Sequence, residues 1–138
     1  MKLTPQMVEQ IIAQARAEAP NEACGYVAGS GDKAELLIPM RNVDASPEHY
    51  SFDPKEQFAA ARQARAVGLD LIGVYHSHPA TPPRMSQEDI RLANDSSVVY
   101  LIYSLAHEAL KGFRVNRDKV VSETTVEVTV TAGAAGAT

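Results

Sequence analysis

The chain has 138 residues, 45% hydrophobic and 22% charged, and its thirteen basic and seventeen acidic residues give a formal charge of −4. That length suits one domain that buries roughly two thirds of its unfolded surface without a staple. No apolar run reaches the ~18 residues of a membrane span, and no Lys/Arg cluster has the density of a nucleic-acid-binding face.

The opening MKLTPQMVEQ has no continuous apolar core ahead of a cleavage site, so no secretory signal is expected. Thr4-Pro5 reads as a helix start, and Met7, Val8, Ile11, Ile12 and Ala15 recur at helical spacing, which predicts an amphipathic helix over 5–19 that ends at Pro20. Glu22 to Ala28 lacks that stripe and runs into Gly29-Ser30-Gly31-Asp32, a strand and turn whose return strand is Ala34 to Met40. Cys24, the single cysteine, has no disulfide partner within the chain; it reads as a small buried hydrophobe in a reducing compartment, the cytoplasm. His49 to Phe52 is a short aromatic strand candidate. Asp53-Pro54 with Glu56 caps a second helix, which runs to Val67 and stops at Gly68.

Leu69 to Tyr75 is a nearly continuous apolar run, the pattern of a strand covered on both faces, and it delivers His76 at its end. A proline-rich loop, Pro79 to Met85, precedes a helix from Ser86 to Asn94. Val98 to Ser104 is a second buried strand, and Ala109 to Val115 with Val120 to Val130 reads as a final hairpin. The closing residues, 131–138, are small and uncharged and read as a disordered tail. Arg62, Arg65 and Arg91 fall on helices, where a solvated face accounts for them. The order of elements predicts an α/β sandwich, a mixed central sheet with helices packed on it.

Chemistry concentrates between residues 76 and 89. Two histidines one residue apart on a strand share a face at about 6 to 7 Å, and their imidazoles can converge on one ion. His76 and His78 meet that condition, but His-Ser-His alone is a weak signal. Asp89, on the following helix, adds an oxygen that can swing back over the strand end. Two histidines, a carboxylate and an open position for water form a catalytic zinc arrangement. Ser86-x-x-Asp89 is also a variant capping box; a helix start that holds Ser86 near the metal and aims Asp89 from the first turn satisfies both readings. His107-Glu108 begins the pattern His-Glu-x-x-His but meets Lys111 at the fifth position, and a zinc deaminase needs a Cys-x-x-Cys pair that this chain lacks. His49 and His107 read as ordinary polar residues.

Together, Glu22, His76-Ser77-His78-Pro79 and Ser86-x-x-Asp89 resemble the motif of the JAMM (MPN-plus) metallopeptidases, with Asp89 eleven residues after His78. Asn21-Glu22-Ala23-Cys24-Gly25, Ile38-Pro39-Met40-Arg41-Asn42 and the strand before His76 are similar to segments of the small prokaryotic members that act on ubiquitin-like sulfur-carrier proteins. The resemblance implies one JAMM/MPN domain over residues 1–130 with a cytidine-deaminase-like fold. It also implies one zinc held by His76, His78 and Asp89, Glu22 as general acid/base, and Ser86 as donor to the oxyanion. The reaction implied is hydrolysis after the Gly-Gly tail of such a carrier, with cysteine as a candidate leaving group. The segments between motif elements are short, which argues against the insertions of linkage-selecting deubiquitinating members. Arg84, in the loop between His78 and Asp89, is the cation best placed for a leaving carboxylate, and Arg41 is second. The competing expectations are a catalytically silent assembly scaffold of the same fold and a zinc hydrolase of a small molecule.

Overall fold

A computed structural model describes residues 1–129. A short strand, β1 (Lys2–Leu3), leads into helix α1 (Pro5–Glu18), where the Thr4 hydroxyl accepts the Met7 amide and Pro5 takes the first helical position, at which no N–H is missed. The hairpin β2 (Cys24–Ser30) and β3 (Lys33–Met40) follows. Helix α2 (Pro54–Ala66) is capped by Asp53, whose carboxylate accepts the Lys55 amide, and it stops where Gly68 turns to φ +74°. Then come β4 (Asp70–His78), the short helix α3 (Gln87–Leu92), β5 (Val99–Ser104), β6 (Ala109–Val115), β7 (Val121–Thr124) and β8 (Glu127–Val128).

The strands described form one sheet of eight in the order β7-β6-β5-β4-β2-β3-β1-β8, antiparallel except for β4 beside β5 and for β1 beside β3 and β8. Period-two alternation sorts its two faces. Leu3, Val27, Tyr75, Leu101 and Tyr103 pack with Met7, Ile11 and Ala15 of α1 on one side. On the other, Ala28 and Ile38 receive the small Ala60 and Ala64 of α2, while Tyr100, Val98 and Val74 pack with Ala93 at the end of α3. This is the expected mixed sheet with helices on it. Because β4 and β5 are parallel, the chain must cross over between them, and it carries α3 past the C-terminal end of β4, where open α/β sheets bind ligands.

Two expectations change. Residues 49–52 form no strand: the Asn42 side chain donates to the carbonyls of Glu22 and His49 and accepts from the amides of Asp44 and Ser51, so side-chain bonds replace a ladder and close a loop at Val43 N–H to Ser51 O. The stretch 120–130 is no single hairpin strand within the described residues. Only Val121–Thr124 pairs with β6, after which the chain leaves the hairpin and Glu127–Val128 pairs with Lys2–Leu3. Strand β4 carries both histidines, as their shared face requires. The segment read as a disordered tail lies outside the described residues.

Gly25 sits opposite Tyr75 across β2 and β4, and the Tyr75 ring lies over it, so an added Cβ would come within 2.4 Å of the ring. Gly25→Ala is expected to destabilise the protein by ~1–3 kcal/mol, as overpacking does. Pairing it with Tyr75→Leu should recover part of its loss in a double-mutant cycle followed by denaturant unfolding. Simple additivity of the two would show that the ring is not the obstacle.

Candidate active site

Alternation along β4 places His76 and His78 on the face of Val74, at the strand's C-terminal end and almost wholly buried. The capping box of α3 brings in the third group. The Ser86 hydroxyl accepts the Asp89 amide at 3.0 Å, and the Asp89 carboxylate accepts the Ser86 amide at 3.0 Å, which locks the first turn and turns Asp89 Oδ2 toward the histidines. The His76 and His78 Nε2 atoms are 3.1 Å apart, and Asp89 Oδ2 lies 3.2 and 3.0 Å from them. No other such group of three potential metal ligands occurs among the described residues.

The tautomer of His78 can be assigned. Its Nδ1 is 2.9 Å from the Pro82 carbonyl, which can only accept, so Nδ1 carries a proton and Nε2 points into the triangle, where it donates to Asp89 when protonated and offers its lone pair to a metal when not. Burial alone would push the Asp89 carboxyl up, but hydrogen bonds from His76 and His78 outweigh it and hold Asp89 well below the usual carboxylate range. Burial lowers His76. It would lower His78 too, but the bonds to Asp89 and Pro82 raise that ring overall. An ionised carboxylate facing two imidazole nitrogens calls for a positive charge at the centre, either a proton or a metal. Tetrahedral zinc with bonds of ~2.0–2.1 Å spaces its ligands about 3.3 Å apart, so the donor atoms and their spacing suit it.

Glu22 is brought alongside by the sheet. Cys24 pairs with His76, and beyond the end of that ladder Ala23 and Ser77 clasp each other: Ala23 N–H donates to Ser77 Oγ at 2.8 Å and Ser77 N–H to the Ala23 carbonyl at 2.9 Å. The Glu22 amide donates to Ser46, and its carbonyl accepts from Asn42. The side chain is 2% exposed, and its Oε1 has no partner. Burial pushes the Glu22 carboxyl up to about 8, with His78 partly offsetting the rise. A buried carboxylate oxygen without a donor is a place for a water that another group also holds.

All five residues expected from the motif therefore meet at one end of β4. Three contributors were not foreseen. Ser77, the middle residue of His-Ser-His, is the clasp. Asn42 ties the 42–51 loop to Glu22. Tyr50 stacks on His76 with ring centroids 4.7 Å apart; its aromatic neighbours suggested a strand, and nothing local marks a loop that folds over the site. Beyond Tyr50 an apolar groove of about 490 Å³ runs over Tyr26, Phe52, Val74 and Tyr100. On the His78 side is a smaller pocket of about 220 Å³, bordered by Arg84 and Ser86. Cys24 is fully buried, as expected, and His49 is an exposed loop residue bonded to Asp44.

The chain belongs to the family of prokaryotic homologs of the JAB domain, whose model matches residues 4–116. It is a peptidase of the JAMM type. Among its relatives are the CysO-cysteine peptidase of Mycobacterium tuberculosis, 35% identical over 88% of this chain and 86% of that one, and the desampylase of Haloferax volcanii, 36% identical over 70% and 74%. A solution structure of a protein from Desulfitobacterium hafniense superposes with a TM-score of 0.84 at 43% identity, covering 93% of this chain and 92% of the other.

The electrostatics of Glu22 can be tested without activity. Its pKa rises from 4.5 unfolded to about 8 folded, so the folded protein keeps a proton that the unfolded chain releases, and stability falls as pH rises between those values. Glu22→Gln does not titrate. In chelator-treated protein the variant should melt above wild type by a margin that opens from about pH 4.5 to 8; a margin independent of pH would mean the carboxyl is not held up by burial.

Proposed function

We propose that the chain is a zinc peptidase that hydrolyses the bond after the C-terminal Gly-Gly of a ubiquitin-like sulfur-carrier protein and releases the group attached there, such as cysteine. The observation that carries this reading is the buried triangle of His76, His78 and Asp89 with the unpartnered Glu22 carboxylate oxygen beside it. His76, His78 and Asp89 would hold one zinc. Zinc bound there supplies a water whose pKa falls from 15.7 to about 7 and a Lewis acid for the scissile carbonyl.

The chain's own groups do the rest. Glu22 accepts a proton from the attacking water and passes it to the leaving nitrogen as the C–N bond breaks; its buried oxygen without a partner leaves it free to do so. Ser86 accepts the Asp89 amide on a lone pair, which leaves its O–H free to donate to the oxyanion, a role worth ~3 kcal/mol in comparable sites. Pro82 orients His78 from behind, a support that fixes ring direction and raises basicity. A Gly-Gly tail has no side chains to read and must be held by its backbone, and the groove of about 490 Å³ beyond Tyr50 is a candidate place for it. The names of two relatives, CysO-cysteine peptidase and desampylase, support this class of substrate.

Purified protein should carry about one zinc, and His76→Ala, His78→Ala or Asp89→Ala should each lose most of it, since three ligands leave no redundancy. Unchanged zinc in all three variants would end the proposal. Glu22→Gln should keep the zinc and lose turnover by at least ~10²-fold on a carrier ending in Gly-Gly-Cys. Ser86→Ala should lose ~10²-fold with the zinc retained; a fall in melting temperature without a fall in rate would limit Ser86 to its capping role. Equal kcat/KM on the intact carrier and on a free Gly-Gly-Cys peptide would favour a small-molecule hydrolase.

A further inference from the structure

We infer that the pocket on the His78 side is the leaving-group site, and that Arg84 there selects a substrate whose released amine carries a free α-carboxylate, as a single C-terminal amino acid does. The inference rests on the peptidase reading above and adds what the enzyme is built to release.

The pocket is bordered by His78, Thr81, Pro82, Arg84, Met85 and Ser86, so one small cavity touches a proposed zinc ligand, the proposed oxyanion donor and an arginine. Its volume of about 220 Å³ is below the ~300–1,000 Å³ of sites for drug-sized ligands and suits one small residue. The loop that bears Arg84 is tied down. The Thr81 carbonyl accepts from Ser104 Oγ at 2.6 Å, and the Pro82 carbonyl accepts from both His78 Nδ1 and the Arg84 amide at 2.9 Å. The arginine therefore starts from a fixed base, which lowers the ordering cost of binding.

Arg84 has no acidic partner among the described residues, whereas Arg41, the other cation that the sequence suggests, is spent on Asp53 at 3.9 Å and Glu56 at 3.4 Å. Arg91 is likewise paired with Glu88. Arg84 is exposed at the rim of this pocket, and an unpaired guanidinium there can act as a bidentate receptor for carboxylate. When the amide after Gly-Gly is hydrolysed, water's oxygen joins the carbonyl carbon, the C–N bond breaks, and the nitrogen leaves with the proton that Glu22 delivers. In a terminal amino acid that nitrogen is one carbon from a carboxylate. In an isopeptide it is a lysine ε-nitrogen, remote from a backbone carbonyl that is itself in peptide linkage and uncharged. Arg84 therefore distinguishes the two kinds of bond.

The experiment compares three substrates of zinc-loaded wild type and Arg84→Ala: carrier-Gly-Gly-Cys with a free C-terminus, the same carrier ending in a cysteine carboxamide, and the carrier joined to the ε-amine of a lysine peptide. Wild type should favour the free acid over the carboxamide by roughly 10–100-fold in kcat/KM, the scale of a charge-assisted hydrogen-bond pair, and should cleave the isopeptide no faster than the carboxamide. Arg84→Ala should bring the free acid down to the carboxamide rate with zinc content and melting temperature held. Equal wild-type rates on acid and carboxamide, or a preference that survives Arg84→Ala, would overturn the pocket assignment alone. Wild type that cleaves none of the three would overturn the peptidase reading and this inference with it.

Discussion

The site depends on a clasp of two hydrogen bonds. Ala23 and Ser77 exchange them just past the end of the β2–β4 ladder, one through the Ser77 hydroxyl, and so join the segment bearing Glu22 to the strand bearing both histidines. The Glu22 backbone is also held by Ser46 and Asn42, but the clasp ties its segment directly to the strand that bears the histidines. A serine between two histidines thus does structural work on behalf of a glutamate more than fifty residues away. The β2–β4 ladder ends there, and the Ser77 hydroxyl accepts the Ala23 amide that has no ladder carbonyl, as buried polar groups require.

Burial then sets the chemistry. Two carboxylates and two imidazoles share one end of a strand with almost no access to water, and this would be costly if the charges were left alone. The protein divides the carboxylates by their partners. Asp89 has donors all around it and stays ionised, whereas Glu22 has an oxygen with none and is pushed toward its protonated form. Groups whose environments move their pKa values apart are suited to different roles, here the proposed ones of holding a cation and moving a proton. The same box at the head of α3 serves both ends, because the bonds that start the helix also aim Asp89.

Most of the frame was legible in the sequence because each element carries its own local signal: Thr4-Pro5 and Asp53-Pro54 for helix starts, Gly68 for a stop, and an apolar run for β4. The five motif residues were legible because their types and order are specific. What escaped has no local signature. The pairing of Lys2–Leu3 with Glu127–Val128 joins chain segments over a hundred residues apart, and two-residue strands have no periodicity to read. Tyr50 belongs to an aromatic stretch whose composition favours a strand. Its fate is decided by Asn42, whose four hydrogen bonds fold 42–51 into a loop and so bring an aromatic ring onto His76. Composition reports what a segment prefers, and a side chain eight residues away in sequence decided otherwise.

The two histidines also give the site a direction. His76 lies under Tyr50, on the side of the apolar groove, while His78 is braced by Pro82, on the side of the Arg84 pocket. Neighbouring positions of one strand face thus mark two different compartments. The groove, larger and lined by Tyr26, Tyr50, Phe52 and Tyr100, suits a tail without side chains; the smaller pocket, bordered by Arg84, suits a small anion. On the proposed reading, a substrate that used both would place its carrier toward His76 and its leaving group toward His78, with the scissile carbonyl between them and Glu22 alongside. The reverse orientation would put a carboxylate among Tyr26, Phe52 and Val74, where no cation lines the wall, and burying an unpaired charge there would cost several kcal/mol or more. On the proposed reading, the polarity of cleavage would follow from where the charges are and would not require the carrier's globular body to enforce it.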